Sequence, residues 1–389
     1  MLSIKLAIRN LIGAGLRTWL NVAVLSFAFF VIVFYNGMLD GWNRQARNDS
    51  HDWETGSGQL WHKDYDRYDP FTLQDAHQSI GDELKPDIQS GRLTPLLFTQ
   101  AAIYPNGRMI NIILKGIDPG QRILKLPTAV LKDETFEIPA IIGRRMAEST
   151  GLKQGDVVTL QWRDRNGTFD ARGMKIVSVF DTNVPTVDAG QVWVPLNVLR
   201  EMTGMTDEAT IMVASSGFST KVTDNWKYVS EKELLKELDD IINQKKGSSM
   251  IIYGLLMAIA LLAIFDTQVL SIFRRQREIG TLIALGMTRH QVVKIFTVEG
   301  SAHSLLAIVV SAVYAVPLLG FFYKNGIPMP KSASEAGIAI SDKIIPYYGT
   351  GMILTSIVLV ILSSTVVSYL PSSKISKMSP TDALKGKIQ

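Results

Sequence analysis

Four long apolar runs constrain this chain more than any other feature of its sequence. They occupy residues 20–40, 249–273, 300–322 and 348–370, and few charged side chains interrupt them. Each run has about twenty residues, and at a helical rise of about 1.5 Å per residue it can cross the roughly 30 Å hydrocarbon core of a bilayer. Four buried core helices of this length are not typical of a soluble protein. The sequence therefore predicts an α-helical membrane protein with four transmembrane helices.

The first run could instead be a cleaved signal peptide. Its apolar core is longer than the roughly 7–15 residues of such a signal. Residues 36–40, Asn-Gly-Met-Leu-Asp, also lack the small-x-small pattern of a cleavage site. We therefore interpret this run as an uncleaved anchor.

The segments that flank the runs predict their orientation. Residues 1–19, 274–298 and 371–389 together hold twelve basic side chains and two acidic ones. Under the positive-inside rule these three segments face the cytoplasm, which places both termini there. Residues 41–248 and the loop 323–347 then lie outside. The arrangement is one span before a large extracytoplasmic domain and three spans after it.

The charge distribution excludes a nucleic-acid partner. The sequence pI is near 9.0. Residues 41–248 nevertheless carry 25 basic and 29 acidic side chains, so the excess of basic residues lies in the flanking segments. The chain has no cysteine, which excludes disulfides, thiolate metal sites and a cysteine nucleophile.

The sequence also lacks the motifs of a self-contained enzyme. It has no GxxxxGK[ST] phosphate-binding loop, no HExxH zinc motif and no GxSxG nucleophile elbow. The acidic residues Asp64, Asp66 and Asp69 lack the turn glycine and the closing glutamate of a calcium loop. We predict no metal site, no cofactor and no catalytic residue on this chain, so any energy source must lie on a partner.

The outside segment has the pattern of a mixed α+β domain. Two pairs of β-rich runs surround the turn signals Pro105-Asn106-Gly107 and Asn166-Gly167, and each pair predicts a hairpin. A charged amphipathic helix over 230–246 leads into the second span as a stalk, with Gly247-Ser248-Ser249 as the joint. The predicted strands are 94–104, 108–117, 157–163, 169–180 and 191–195, and the shorter predicted helices are 143–150 and 196–203.

The segment 274–299 carries the clearest functional pattern. It continues the second span, breaks at Gly286, and begins a second short helix after Thr288, a residue suited to an N-cap. Val292, Val293 and Phe296 form an apolar face on that helix, which could fill a groove on a partner protein. The alternative is an ordinary basic loop that lies on lipid headgroups.

Several motifs in this chain resemble the FtsX-like permease family, the membrane subunits of MacB- and LolC/LolE-type ABC transporters. The run R-E-I-G-x-x-x-A-L-G begins at Arg277 and is followed by Glu299 at the opening of the third span. The end of the fourth span, from Leu370 to Lys385, matches a second family pattern, L-P-x-x-x-[AI]-[AS]-x-x-x-P-x-[ED]-A-L. Further matches are the N-terminal amphipathic stretch 5–11 and, in the outside domain, the runs 114–119, 142–148, 151–158 and 192–196.

The resemblance implies a mechanism by mechanotransmission. Two permease chains, alike or different, would pair with a dimer of cytoplasmic ABC ATPases that holds ATP and Mg²⁺. ATP binding and hydrolysis would move the domain 41–248 in the periplasm of a bacterium, with the permease in the inner membrane. The residues that would couple to the ATPase are Arg277, Glu278, Gly286, Thr288, Arg289, Val292, Val293 and Phe296.

Three further features bear on the substrate. Asp266 stands in the second span where family members often carry Asn, and an acid in a span marks either a functional site or a polar contact between helices; we group it with Glu299 as intramembrane polar. Phe27, Phe30 and Phe34 repeat along one face of the first span, where they could line a substrate cavity or only pack against helices or lipid. The turn 161–174 is compact and contains no proline, unlike the hook with which LolC-like chains bind a carrier.

Three functions remain open at this point. The first is extraction of lipoproteins or lipids from the inner membrane. The second is MacB-like export of periplasmic peptides, toxins or antibiotics, which needs an outer-membrane partner. The third is a non-transporting module that regulates a cell-wall hydrolase or a sensor. Four spans with a large outside domain favour the first two.

Overall fold

The fold was analysed in a computed structural model that describes residues 16–132, 137–219, 225–329 and 343–377. The chain divides into two compact units. We call Met1–Trp42, Ile241–Ile327 and Ile345–Gln389 the helical unit, and Asn43–Asp240 with Pro328–Ile344 the barrel unit. The predicted N-terminal amphipathic stretch and the C-terminal motif beyond residue 377 lie outside the described residues.

The described helices are numbered in chain order. They are α1 Leu16–Ser50, α2 Lys85–Gln89, α3 Arg144–Thr150, α4 Pro185–Asp188, α5 Leu196–Thr203, α6 Glu231–Leu234, α7 Lys236–Arg274, α8 Gln276–Ala284, α9 Arg289–Asn325 and α10 Thr350–Ser373. A π-helical turn, His51–Thr55, extends α1, and short 3₁₀ turns occupy Pro70–Gln74, Pro105–Gly107, Thr128–Lys132 and Lys374–Lys377.

The described strands are short except for β3 and β7. They are β1 Gly58–His62, β2 Gln78–Ser79, β3 Leu93–Ile103, β4 Ile110–Ile117, β5 Ile138–Gly143, β6 Val157–Arg163, β7 Phe169–Phe180, β8 Gln191–Pro195, β9 Glu208–Ala209, β10 Ile211–Ala214, β11 Trp226–Ser230, β12 Ile327–Pro328 and β13 Lys343–Ile344.

The helical unit contains the apolar runs. Within the described residues, α1, α7, α9 and α10 are each long and apolar enough to cross a membrane, with mean hydropathies of 2.2 to 2.4. Their facing sides form one cluster of buried Val, Leu, Ile, Ala and Phe side chains, which includes Leu25, Ile264, Ala307 and Val360. The chain is therefore a membrane protein, as predicted, and its orientation in the bilayer stays a prediction.

Polar and small side chains join these helices. The Asn21 amide donates to Thr267 Oγ1 and to the Ala263 carbonyl, which links α1 to α7. The Ser26 and Tyr314 hydroxyls are 2.8 Å apart, which links α1 to α9. α9 and α10 pack along buried serines of both helices, and small residues of this kind let helices in a membrane approach closely.

The barrel unit is built on a closed ring of six strands. The order β3-β4-β8-β5-β7-β6 closes on itself because Ala101–Ile103 of β3 also pair with Leu160–Trp162 of β6. The inside of the ring is filled by apolar side chains from all six strands, among them Leu97, Leu114, Ile142 and Leu160. On the same edge of β3, residues 93–96 pair with β10, and β1 and β11 continue the sheet from there.

Side-chain alternation divides each barrel strand between two cores. On β4, Ile112 and Leu114 point into the ring, whereas Lys115 and Ile117 lie on its outer face. A second apolar cluster covers part of that outer face, and Trp53, Trp61, Tyr65 and Leu73 from the segment 51–75 contribute to it. The outer face of β3, β4 and β8 is therefore buried as well.

Most predicted elements of the barrel unit are confirmed. Both hairpins form, β3–β4 around a turn where Asn106 and Gly107 have φ of 53° and 77°, and β6–β7 around Gly167 at 85°. The predicted joint at Gly247-Ser248-Ser249 is wrong. These residues lie inside the continuous helix α7, where the Ser248 and Ser249 hydroxyls donate to the Gln244 and Lys245 carbonyls one turn earlier and so do not end the helix.

Candidate functional site

The segment between α7 and α9 folds into a compact helical hairpin that we call the coupling hairpin, residues 274–299. α7 ends at Arg274, α8 runs over Gln276–Ala284, and the chain then turns through Leu285–Met287. Gly286 has a φ of 99°, a backbone conformation that residues other than glycine seldom adopt. The predicted break at Gly286 is therefore confirmed, and glycine is what makes the turn possible.

A capping box starts the following helix. Thr288 Oγ1 accepts a hydrogen bond from the Gln291 backbone N–H at 3.4 Å, and Gln291 Oε1 accepts one from the Thr288 N–H at 2.8 Å. These bonds satisfy two donors that a helix start would otherwise leave unpaired. The predicted N-cap is confirmed. The predicted short helix is wrong, because α9 continues without interruption from Arg289 to Asn325 and joins the coupling hairpin to the third span.

The apolar residues of the coupling hairpin face inward. Val292, Val293 and Phe296 are 0%, 7% and 0% exposed, and they pack against Ile279 of α8 and Ile375 of the C-terminal 3₁₀ turn. Burial of this cluster fixes α8 against the start of α9. These three side chains therefore do not form the surface that we expected to fill a partner's groove, since their own chain already covers them.

A central arginine ties the coupling hairpin together. Arg275 donates to both carboxylate oxygens of Glu278 at 2.6 and 2.7 Å, and to both oxygens of Glu299 at 2.8 and 2.9 Å. Its guanidinium also lies over the Phe296 ring, 4.8 Å from the centroid. The planar guanidinium supports such paired contacts, and a lysine could not make them. We call this arrangement the Arg275 clamp.

The electrostatics of the clamp favour full ionisation. The hydrogen bonds to Glu278 are the main cause that raises the pKa of Arg275 above its ordinary value. The same contact lowers the pKa of Glu278 below its ordinary value. Both groups therefore stay charged at neutral pH, and the clamp joins the end of α7, the first turn of α8 and the first turns of α9.

The exposed part of the coupling hairpin is its tip. Leu285 is 79% exposed, and an apolar side chain at such a position is a candidate partner contact. Thr288, Arg289, His290 and Lys294 around it are exposed as well, and so are Arg277 and Glu278 on α8. Of the eight predicted coupling residues, five therefore reach the surface, Gly286 among them, and the three apolar ones do not.

The predicted intramembrane residues have different environments. Asp266 is exposed on α7 and makes no hydrogen bond or ion pair with any described residue. Glu299 is held in the Arg275 clamp. Phe30 and Phe34 contact Tyr314 and Phe322 of α9, with ring centroids 5.7 and 5.1 Å apart.

The three phenylalanines predicted to line a cavity therefore differ in exposure. Phe27 is 56% exposed, whereas Phe30 and Phe34 pack mainly between helices of the same chain. Among the residues that the structure describes, no three His, Asp or Glu side chains lie together in a way that could hold a metal ion.

The sequence analysis named Glu278 and Glu299 but did not predict their contacts with Arg275. Arg275 and Glu278 are three residues apart, a spacing that places two side chains on one helix face. Arg275 nevertheless lies between α7 and α8 as the residue that precedes α8. The position of Glu299 beside it depends on how α9 folds back, which no local pattern shows.

The four long apolar helices define a membrane protein, and a folded hairpin joins two of them. Residues 250–380 match the model of the FtsX-like permease C-terminal region, so the predicted resemblance is confirmed there, and this family implies an ABC ATPase as partner. The match contains α7 from residue 250 onward, the whole coupling hairpin, and all of α9 and α10.

A solved structure, the extracellular domain of the noncanonic ABC-type transporter YknZ from Gram-positive bacteria, is 15% identical and covers 41% of this chain and 83% of that chain, with a TM-score of 0.26. A comparison with curated proteins found no match.

Proposed function

We propose that this chain is the permease subunit of an ABC transporter in which a partner ATPase binds ATP and Mg²⁺ and this chain transmits the motion. The observation that carries the proposal is the match of residues 250–380 to FtsX-like permeases, together with the folded coupling hairpin inside that match. The chain itself has no phosphate-binding loop, so we assign it no ATPase activity. The proposed orientation puts the hairpin in the cytoplasm of a bacterial cell and the barrel unit in the periplasm.

The structure of the coupling hairpin suits the transmission of force. Leu285 and the basic side chains around it offer a small apolar and positively charged tip to the ATPase. Behind the tip, the buried cluster and the Arg275 clamp hold α8 and α9 as one body. A displacement of the tip would therefore move α9 with it instead of bending a loop.

Pairing with a second permease chain is supported by the exposed side of α7. An ionisable side chain in a span normally faces protein or a water-filled cavity, because its exposure to lipid tails costs several kcal/mol. Asp266 is exposed in the single chain and has no partner among the described residues. A second permease chain, identical or different, would cover it.

For the substrate, we propose lipoproteins or lipids extracted from the membrane. The exposed ring of Phe27 on α1 is the supporting observation, because it leaves an aromatic side chain on the outer surface of the first span. The second candidate is export of periplasmic peptides or toxins, which the tight β6–β7 hairpin favours. In that hairpin each residue from Val157 to Arg163 is paired with β7, up to Arg163 opposite Phe169, and no extended hook for a carrier is present. Regulation of a cell-wall hydrolase or sensor remains a third candidate.

The coupling proposal is tested by changing the hairpin tip alone. We expect Leu285→Asp to abolish co-purification of the chain with its partner ABC ATPase, because the tip would lose its apolar contact. Val157→Asp is the matched control, since Val157 is an exposed apolar residue of the barrel unit, at 55%. Unchanged co-purification and ATPase stimulation by Leu285→Asp would contradict the proposed docking surface.

The substrate is tested separately by native mass spectrometry of the reconstituted complex. Bound lipoprotein or phospholipid that is lost in Phe27→Ala, but kept in Leu354→Ala on α10, would support extraction. An assembled, active complex that carries no lipid in either form would favour export instead.

A further inference from the structure

A lysine lies in the middle of an aromatic row on the outer face of the barrel. Lys115 on β4 is paired with Phe98 on the antiparallel strand β3 and with Trp193 on the parallel strand β8. The three side chains therefore stand next to each other across three strands, since paired positions share one face of a sheet. Its neighbours on that face in β4, Ile113 and Ile117, are apolar, so the charge interrupts an otherwise apolar row.

The ammonium group of Lys115 is buried between two rings. Its Nζ lies 4.6 Å from the centroid of Phe98 and 4.9 Å from that of Trp193, and the residue is 7% exposed. It makes no hydrogen bond or ion pair with any described residue. Contacts with aromatic faces compensate part of the cost of burial, but they leave the three N–H donors of an ammonium without acceptors.

This lysine borders a cavity of about 120 Å³. The volume exceeds the roughly 10–15 Å³ that one water needs, and it is below the roughly 300–1,000 Å³ of sites for drug-sized ligands. The cavity therefore suits a molecule of a few heavy atoms. Its walls include Tyr65 and Trp61 from the covering segment, whose rings contact each other with centroids 5.0 Å apart.

Two acceptors line the same cavity as the lysine. Gln191 Oε1, on β8, is buried and has no hydrogen-bond partner among the described residues. Glu54 is fixed by the Thr186 hydroxyl at 2.7 Å and lies 3.6 Å from Arg67. Glu54 acts electrostatically on Lys115 without an ion pair, so the two charges belong to the same cavity but do not touch.

We propose that this cavity binds a small α-amino acid, with its carboxylate on Lys115 Nζ and its ammonium group towards Gln191 Oε1 and Glu54. A carboxylate supplies the acceptors that the lysine lacks, and an ammonium supplies the donor that the glutamine oxygen lacks. Aromatic side chains line part of the cavity, and a low local dielectric beside them would strengthen both contacts. All residues of the site lie in the barrel unit, so the proposal does not use the coupling hairpin on which the proposed coupling to an ATPase rests.

Other ligand classes fit the cavity less well. A phosphate dianion would meet only Lys115 and Arg67 as cations, and Arg67 is already close to Glu54; the carboxylates of Glu54 and Asp66 would repel it. A metal cation would be repelled by the buried ammonium of Lys115. Burial lowers the pKa of Lys115 to about 8, so the ammonium form still dominates at pH 7 and can hold a carboxylate.

The test uses isothermal titration calorimetry. The purified full-length chain in nanodiscs is titrated with glycine, L-alanine and L-serine, each in a separate experiment. We expect saturable binding of at least one of them, and an affinity at least tenfold weaker in Lys115→Met. Gln191→Leu should weaken the same amino acid but should not weaken acetate. Lys153→Met removes an exposed lysine outside the cavity and should bind like the unchanged chain. Thermal unfolding of each variant verifies that it is folded.

The outcomes separate the alternatives. Acetate that binds as tightly as alanine would overturn the assigned ammonium contact. Inorganic phosphate that binds more tightly than any amino acid would overturn the ligand class. No heat from any of these probes, with a folded chain, would show that the cavity holds water only and would overturn the site. Equal binding by the Lys115→Met variant would place the ligand elsewhere.

Discussion

The buried charge of Lys115 predicts that the barrel unit becomes more stable when this charge is removed. The perturbation is Lys115→Met, which keeps a long side chain between Phe98 and Trp193 but deletes the ammonium group. Replacement of a buried charge by an apolar side chain of similar volume is often neutral or stabilising. In this site the lysine has no acidic partner in contact, so no ion pair is lost.

The size of this stabilisation follows from the lowered pKa of Lys115. Burial lowers its pKa from the ordinary 10.5 to about 8, and the field of Glu54 opposes this effect only in part. At about 1.4 kcal/mol for each tenfold change in a protonation equilibrium, the charged lysine destabilises the folded state by roughly 3 kcal/mol.

This destabilisation depends on pH in a definite direction. Between pH 8 and 10.5 the folded lysine has lost its proton and the unfolded one still holds it, so stability rises with pH there. The advantage of the methionine variant should therefore be about 3 kcal/mol at pH 7, about 2 at pH 9 and below about 0.5 at pH 10.5.

Pulse proteolysis in urea, on the full-length chain in detergent and without amino acids, measures the free energy of unfolding of the barrel unit. The other ionisable groups titrate alike in both proteins, so the difference between them isolates Lys115. Lys153→Met should change the stability by less than about 0.5 kcal/mol at every pH, as is usual for an exposed side chain. An advantage of Lys115→Met that stays constant from pH 7 to 10.5 would refute the buried charge.

The coupling hairpin yields four further predictions, each measured by unfolding of the full-length chain in mixed micelles. Phe296→Ala should lower the free energy of unfolding by about 3–5 kcal/mol because the Phe296 ring is fully buried, whereas Leu285→Ala at the exposed tip should change it by less than about 0.5 kcal/mol. Similar losses in both variants would contradict the assignment of an inner and an outer face. Arg275→Lys should lose about 1–3 kcal/mol, since one ammonium cannot satisfy two carboxylates, and full stability would argue against the clamp. Thr288→Ala should lower the free energy of unfolding by about 1 kcal/mol because the N-cap is lost, whereas Thr288→Ser should keep the cap and the stability. Gly286→Ala should cost about 1–2 kcal/mol because of its positive φ, and Gly247→Ala, inside α7, should stabilise instead.

Local patterns were sufficient for the elements whose signals lie in neighbouring residues. Alternation and the Asn-Gly turns predicted the two hairpins, and Thr288 with Gly286 predicted a turn followed by a helix start. β1, β10 and β11 were missed because they have only four or five residues and find their partners far away in the sequence. The closure of the barrel through β3 and β6 likewise has no local signal.

The face on which a residue lies was harder to predict than its secondary structure. The apolar spacing of Val292, Val293 and Phe296 is the same whether the face is covered by a partner or by the chain itself. Only the fold shows that Ile279 and Ile375 cover it. Lys115 is a second case. The sequence places it on the same face of β4 as Ile113 and Ile117, but its burial depends on the residues of the segment 51–75 that cover this face, which no local pattern shows.

The pairing of β1 has a consequence for how the chain is made. β1 pairs only with β10 and β11 among the described strands, and these follow about 150 residues later in the sequence. At synthesis rates of about 5–20 residues per second, β1 waits roughly 8–30 s for its partners. During this time Leu60, fully buried in the finished protein, stays exposed. A factor that holds β1 during this interval would shield Leu60 until β10 and β11 have been made.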